Sequence, residues 1–136
     1  MKTTSEIIYQ GGLRTASTHL RSGSVIHSDA PIDNNGLGQA FSPTDCVANA
    51  LGSCMITVMA IKANQMGIEL RDSRLEIKKH MASDPRRISC IEVDLYLPEI
   101  SEKDAKILEL VGNTCPVLAS LHSDLEKQIR FHWNSL

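Results

Sequence analysis

The 136-residue sequence has no long run of charge of one sign, no apolar stretch of membrane-spanning length and no Cys-x-x-Cys pair. Fourteen basic against sixteen acidic residues leave a formal net charge of −2, so there is no electrostatic footprint for nucleic acid or an anionic membrane. Residues 1–10 carry one lysine and no apolar segment, and no secretory leader is read there; a cytoplasmic protein is expected. The most apolar stretch, Cys46 to Ile61, contains Asn49, Ser53 and Thr57 and falls short of the roughly 20 residues of a membrane span. It reads as a buried helix. Neither internal repeats nor low-complexity segments are present, and the length fits a single domain over residues 1–136 with a real core.

Four cysteines remain to be explained, at positions 46, 54, 90 and 115. In a reducing compartment thiol chemistry is a better expectation than structural disulfides. The wide spacing also lacks the close ligand pairs of a structural zinc site. Neither a metal nor another cofactor is expected.

The first third reads as a meander of short strands: Glu6–Gln10, Leu13–Leu20 and Ser24–Ser28 are separated by Gly11-Gly12 and Ser22-Gly23. Asp29 to Phe41, punctuated by Pro31, Asn34-Asn35-Gly36 and Gly38, reads as a long loop, and loops of that length are commonly functional. Ser42-Pro43-Thr44-Asp45 is a helix start: a capping hydroxyl, a proline at the first helical position and an acid that complements the dipole. Apolar residues then recur at helical spacing from Val47 to Ile61, and Gly67 supplies the stop.

Two half-buried strands follow, around Leu75–Met81 and Ile91–Leu97, as a hairpin through Asp84-Pro85. Ser101 with Asp104 begins a second helix that ends at Gly112-Asn113, a short helix follows Pro116, and Ile129, Phe131 and Trp133 alternate in a closing strand. The order predicts an α+β fold with antiparallel sheet. Its long helix has more apolar surface than one small sheet covers, so a homodimer is expected.

Thr114-Cys115-Pro116 places Cys115 at a helix start, where free N–H groups favour a thiolate; a buried small residue before a turn explains the position equally well. Cys54 lies mid-helix, where a core role suffices, although Gly52 beside it implies a close backbone approach or a ligand. Cys46 reads as core. Cys90, on the strand face of Glu92, Asp94 and Tyr96, is expected to be fairly exposed.

Taken together, Phe41-Ser42-Pro43-Thr44-Asp45, Leu51-Gly52-Ser53-Cys54-Met55 and Cys115-Pro116-Val117 resemble the osmotically inducible protein C and organic hydroperoxide resistance (OsmC/Ohr) family over nearly the whole chain. The resemblance implies an intertwined dimer with sheets wrapped around long central helices. It implies a peroxidatic Cys54 that passes to a sulfenic acid, and a resolving Cys115 that condenses with it to a disulfide. A dithiol donor, lipoyl-linked in part of the family, would reduce that disulfide. It also implies an arginine from the first strands, for which Arg14 is the best match and Arg21 a weaker one. The family's peroxidases carry a glutamate in the first helical turn that orients this arginine. Thr44 stands there in this chain, and Asp45 is the candidate to take over, or it only caps the helix.

Three readings follow. The leading one is reduction of organic hydroperoxides, the alkyl part received by residues such as Phe41, Met55 and Met59. A second is a non-catalytic redox-sensing or small-ligand-binding protein of the same fold. The third is a cysteine hydrolase pairing Cys54 with a histidine such as His19, His27 or His122.

Overall fold

A computed structural model describes residues 1–136, in the order β1 (Ser5–Gly11), β2 (Arg14–His19), β3 (Val25–Asp29), α1 (Pro43–Gln65), β4 (Arg74–Ala82), β5 (Arg87–Tyr96), α2 (Glu102–Gly112), α3 (Pro116–Ser120) and β6 (Glu126–His132). A single 3-10 turn at Ile32–Asn34 interrupts the long loop. The chain forms two compact units, Met1–Val47 and Ala48–Leu136.

In the first unit, β1, β2 and β3 form an antiparallel sheet in that order. The register sets Arg14 opposite Asp29 and Ile8 opposite Ala16. Because side chains alternate across a strand, Ile7 and Tyr9 lie on one face and Ile8 on the other, and all three are exposed. From Asp29 the loop folds back on itself: Asp29 N–H donates to Phe41 O at 3.1 Å, and Gly38 N–H to Ala30 O at 3.2 Å. Gly36 makes this possible, since a Cβ there would stand 1.7 Å from the carbonyl oxygen of Ala30. Ser42 then starts α1 as expected. Asp45 N–H donates to its Oγ at 3.1 Å, and its own N–H donates to Asp45 Oδ2 at 2.9 Å, a reciprocal pair that satisfies two donors at the helix start.

The second unit carries the core. Leu51, Met55, Met59 and Ala63 of α1 pack with Ile91, Val93 and Leu95 of β5, with Leu97 and with Leu108 of α2. α1 runs to 23 residues, from the expected start to just before the Gly67 stop, and is apolar enough to match a membrane span by length and composition; the residues it buries are those of a core helix. Gly52 is the close approach expected: a Cβ there would meet Ile77 Cδ1 at 2.6 Å.

The second sheet has the order β4-β5-β6, with β4 and β5 antiparallel. β6 runs parallel to β5, a departure from the all-antiparallel expectation. Its cause is connectivity: α2 and α3 lie between the two strands in the chain, and a helical crossover returns the chain to the same end of the sheet.

The outer face of this sheet is an ion-pair lattice. Arg130 donates to both oxygens of Asp94, at 2.7 and 2.8 Å, and to Glu92 at 2.7 Å. His132 Nε2 lies 2.8 Å from Asp94 Oδ1, and its ring stacks on Tyr96. Beneath these side chains Cys90 is only 7% exposed, against the expectation of exposure. Burial pushes its thiol pKa up, with Glu126 and Glu92 adding to the shift, so it is poorly placed to react.

Candidate active site

All four cysteines are free thiols, and the second unit brings two of them together. Cys115 is the N-cap of α3, with extended backbone (φ −62°, ψ 146°) and Pro116 at the first helical position. Its Sγ accepts the N–H of Leu118 at 3.3 Å, and the Cys54 thiol is close enough to act on its titration. The two thiols that the family resemblance pairs, sixty-one places apart in the chain, are therefore neighbours in the fold.

They are not equivalent. Cys115 is fully buried, whereas Cys54 is partly exposed. Burial pushes the Cys115 thiol up, the N–H of Leu118 pulls it down, and the neighbouring Cys54 thiol raises it again, for a net rise. Desolvation outweighs the helix-start effect at this position. Cys54, Val117, Leu118 and Leu121 each pack against the core.

Met55 and Met59 do not form an open pocket. Both are fully buried, and Met59 Sδ stands 2.9 Å from where a Cβ on Gly112 would lie, so these side chains fill the gap under α2. Phe41 is exposed. Open space along α1, about 110 Å³, lies instead against Asn49, Gly52, Ser53, Ile56, Leu75 and Ile77.

In the first unit Arg14 is held end-on by a carboxylate. Its Nε donates to Asp29 Oδ1 at 2.7 Å and its Nη2 to Asp29 Oδ2 at 2.9 Å. Nη2 also approaches Gln39 Oε1 at 3.4 Å, while Gln39 N–H donates to Asp29 Oδ2 at 2.9 Å. The hydrogen bonds from Arg14 hold the Asp29 carboxyl below the ordinary carboxylate range, against the opposing effect of burial. The sequence reading did not single out Asp29; the only available signal was its place at the end of a strand, and the pairing needs the register of β2 on β3. The Asp45 carboxylate accepts from Ser42 N–H at the start of α1.

Arg21 lines a groove with Lys2, Thr3, Thr4, His19 and Leu20. His19 Nδ1 is hydrogen-bonded to Ser22, and His122 Nδ1 accepts the N–H of Asp124. No group of three or more His, Cys, Asp or Glu side chains converges as for a metal ion.

An α+β chain of this strand order with two neighbouring thiols defines a class that comparison with known proteins makes specific. The family profile described as OsmC-like protein matches residues 36–130. The chain belongs to the OsmC-like family. It is 44% identical to a candidate osmotic stress induced and detoxification response protein from Psychrobacter arcticus 273-4, with 97% of each chain covered and a TM-score of 0.94. It shares its fold with an organic hydroperoxide resistance protein OsmC from Legionella pneumophila, at 15% identity, TM-score 0.75 and coverage of 97% of this chain and 98% of that one. The same holds for an organic hydroperoxide resistance protein from Elizabethkingia anophelis, at 13% identity, TM-score 0.75 and coverage of 98% and 99%. No curated protein matches the sequence.

Proposed function

We propose that this protein is a thiol-dependent peroxidase that reduces organic hydroperoxides, and the observation that carries the reading is the proximity of Cys54 and Cys115. The pair has a direction: burial pushes the Cys115 thiol up, as suits the partner that acts second. Cys54 is the more accessible of the two, as an attacking group must be.

The steps balance. The Cys54 thiolate attacks the terminal oxygen of the hydroperoxide, the O–O bond breaks, and the alcohol leaves with a proton while Cys54 becomes a sulfenic acid. The Cys115 sulfur then displaces water from that sulfenic acid and the Cys54–Cys115 disulfide forms. A dithiol reductant restores both thiols and is itself oxidised to a disulfide. The Arg14 guanidinium supplies the positive charge that stabilises the thiolate and polarises the peroxide. Asp45 acts at one remove, by fixing the start of the helix that bears Cys54. The family resemblance extends the reading to a homodimer in the cytoplasm.

Thiol titration before and after one equivalent of cumene hydroperoxide tests it, with hydrogen peroxide for comparison. The wild type is expected to lose two thiols rapidly and with preference for the organic peroxide. Cys54→Ser is expected to lose none at that rate, and Cys115→Ser to give a sulfenate at Cys54 that a dimedone probe traps. Slow, unselective oxidation of the wild type would end the enzymatic reading and favour a sensing or binding protein.

A further inference from the structure

We propose that the groove between residues 2–4 and the end of β2 binds the phosphate monoester group of a small molecule, held by Lys2, His19 and Arg21. The inference is independent of the peroxidase reading, and every residue it uses belongs to the unit Met1–Val47.

The groove encloses about 650 Å³ and is lined by Lys2, Thr3, Thr4, His19, Leu20 and Arg21. Small-molecule sites run from about 300 to 1,000 Å³, so the space takes an organic group as well as the anion, against Leu20 and the threonine methyls. Its walls are fixed by the backbone. Leu20 N–H donates to Thr4 O at 3.1 Å, which ties the two sides together, and the turn after β2 is closed by His19 N–H to Ser24 O and Gly23 N–H to His19 O, both at 2.8 Å.

Charge distinguishes this groove. Its lining has two cations, a histidine and no carboxylate. Glu6 is the only acidic residue before Asp29. It pairs in register with Thr18, whereas Ser5 pairs with His19, so alternation puts Glu6 on the other face of the sheet from His19. Asp29 is taken by Arg14. Lys2 and Arg21 carry no ion pair, whereas Arg14, Arg74 and Arg130 each hold a carboxylate. His19 adds a neutral donor. Ser22 Oγ lies 2.6 Å from its Nδ1 and accepts the N–H of Ser24 at 3.2 Å. We assign the hydroxyl hydrogen to Nδ1, which leaves the ring proton on Nε2.

These partners select among anions. A planar carboxylate with one charge is satisfied by one arginine, as Asp29 is by Arg14. Two cations from separate segments, with a histidine and two threonine hydroxyls, suit a tetrahedral group with three terminal oxygens and close to two negative charges, which a phosphate monoester has at neutral pH.

The test titrates the full chain with phenyl phosphate, with benzoate, and with phosphatidylcholine vesicles containing phosphatidic acid, following backbone amide chemical shifts. It compares wild type with Lys2→Gln, Arg21→Gln, the double variant and, as a control of equal charge change, Lys103→Gln in α2. Expected are saturable shifts at Thr3, Thr4, Leu20 and Arg21 with phenyl phosphate, and an affinity for benzoate weaker by on the order of 10-fold. Each single variant is expected to lose on the order of 10-fold in affinity for phenyl phosphate, the double variant more, and Lys103→Gln none. Lys2 and Arg21 are exposed, so melting temperatures are expected to match wild type, and a loss of binding then reports the site and not the fold. Shifts that never saturate, equal binding of benzoate, or a loss as large in Lys103→Gln overturns the proposal, as does binding confined to the vesicles.

Discussion

Gly52 and the cysteines show what single residues carry in this fold. A methyl group at position 52 would meet Ile77 Cδ1 at 2.6 Å and Leu75 Cδ2 at 3.3 Å. Overpacking of this kind costs about 1–3 kcal/mol, against about 1 kcal/mol gained from helix propensity. Gly52→Ala is therefore expected to destabilise by up to about 2 kcal/mol in chemical denaturation, and a stabilised variant would show that Ile77 simply turns away. The glycine was legible in the sequence as an anomaly and its reason was not, because Ile77 arrives from another element. The thiols divide in the same way. The family resemblance singled out Cys54 and Cys115 where helix position alone left them open, while the burial that makes them unequal, and that silences Cys90, depends on tertiary neighbours. Asp29 was illegible for a related cause: its partner lies fifteen residues earlier, on an adjacent strand.

Among the elements, those with local punctuation were read most closely. Ser42-Pro43-Thr44-Asp45 begins α1 as expected, and Ser101 caps α2 by accepting the N–H of Asp104 at 3.2 Å. Losing the first of these caps has a definite cost: Ser42→Ala is expected to remove about 1 kcal/mol of stability, read as a lower melting temperature by circular dichroism. A melting temperature at or above wild type would mean that Pro43 and Asp45 suffice to start the helix. The direction of β6 was beyond reach, because alternation of Ile129, Phe131 and Trp133 marks a buried face and says nothing about which way the strand runs. The end of α1, by contrast, was legible, because Gly67 takes the left-handed conformation just after the helix closes at Gln65.

At the scale of the whole molecule, acid sensitivity follows from the lattice on the β4-β5-β6 sheet. Hydrogen bonds from Arg130, then from His132, hold the Asp94 carboxyl far below the ordinary carboxylate range, and Arg130 and His80 lower Glu92 likewise. A carboxylate whose folded pKa is depressed contributes stability that is full above its unfolded pKa and lost as pH falls toward the folded value. Urea midpoints are expected to drop between about pH 5 and pH 2, less steeply in Asp94→Asn; equal slopes would show that the pair is energetically silent. The exposed Ile7, Ile8, Tyr9 and Ile26 on both faces of the first sheet are apolar surface of the kind that marks association. Sedimentation is accordingly expected to give twice the chain mass, with Ile8→Lys shifting the protein toward the single-chain mass. A wild type that sediments as a single chain at micromolar concentration would refute the homodimer.

The Cys115 sulfur has two employments, since it neighbours Cys54 and also receives the N–H of Leu118 where α3 begins. Serine keeps an acceptor atom at that spot and discards only the electron chemistry, whereas alanine, or a bulky alkylating label, takes away both. Replacing this cysteine is thus a choice between asking about reactivity and asking about architecture, and only the oxygen analogue keeps the two questions apart.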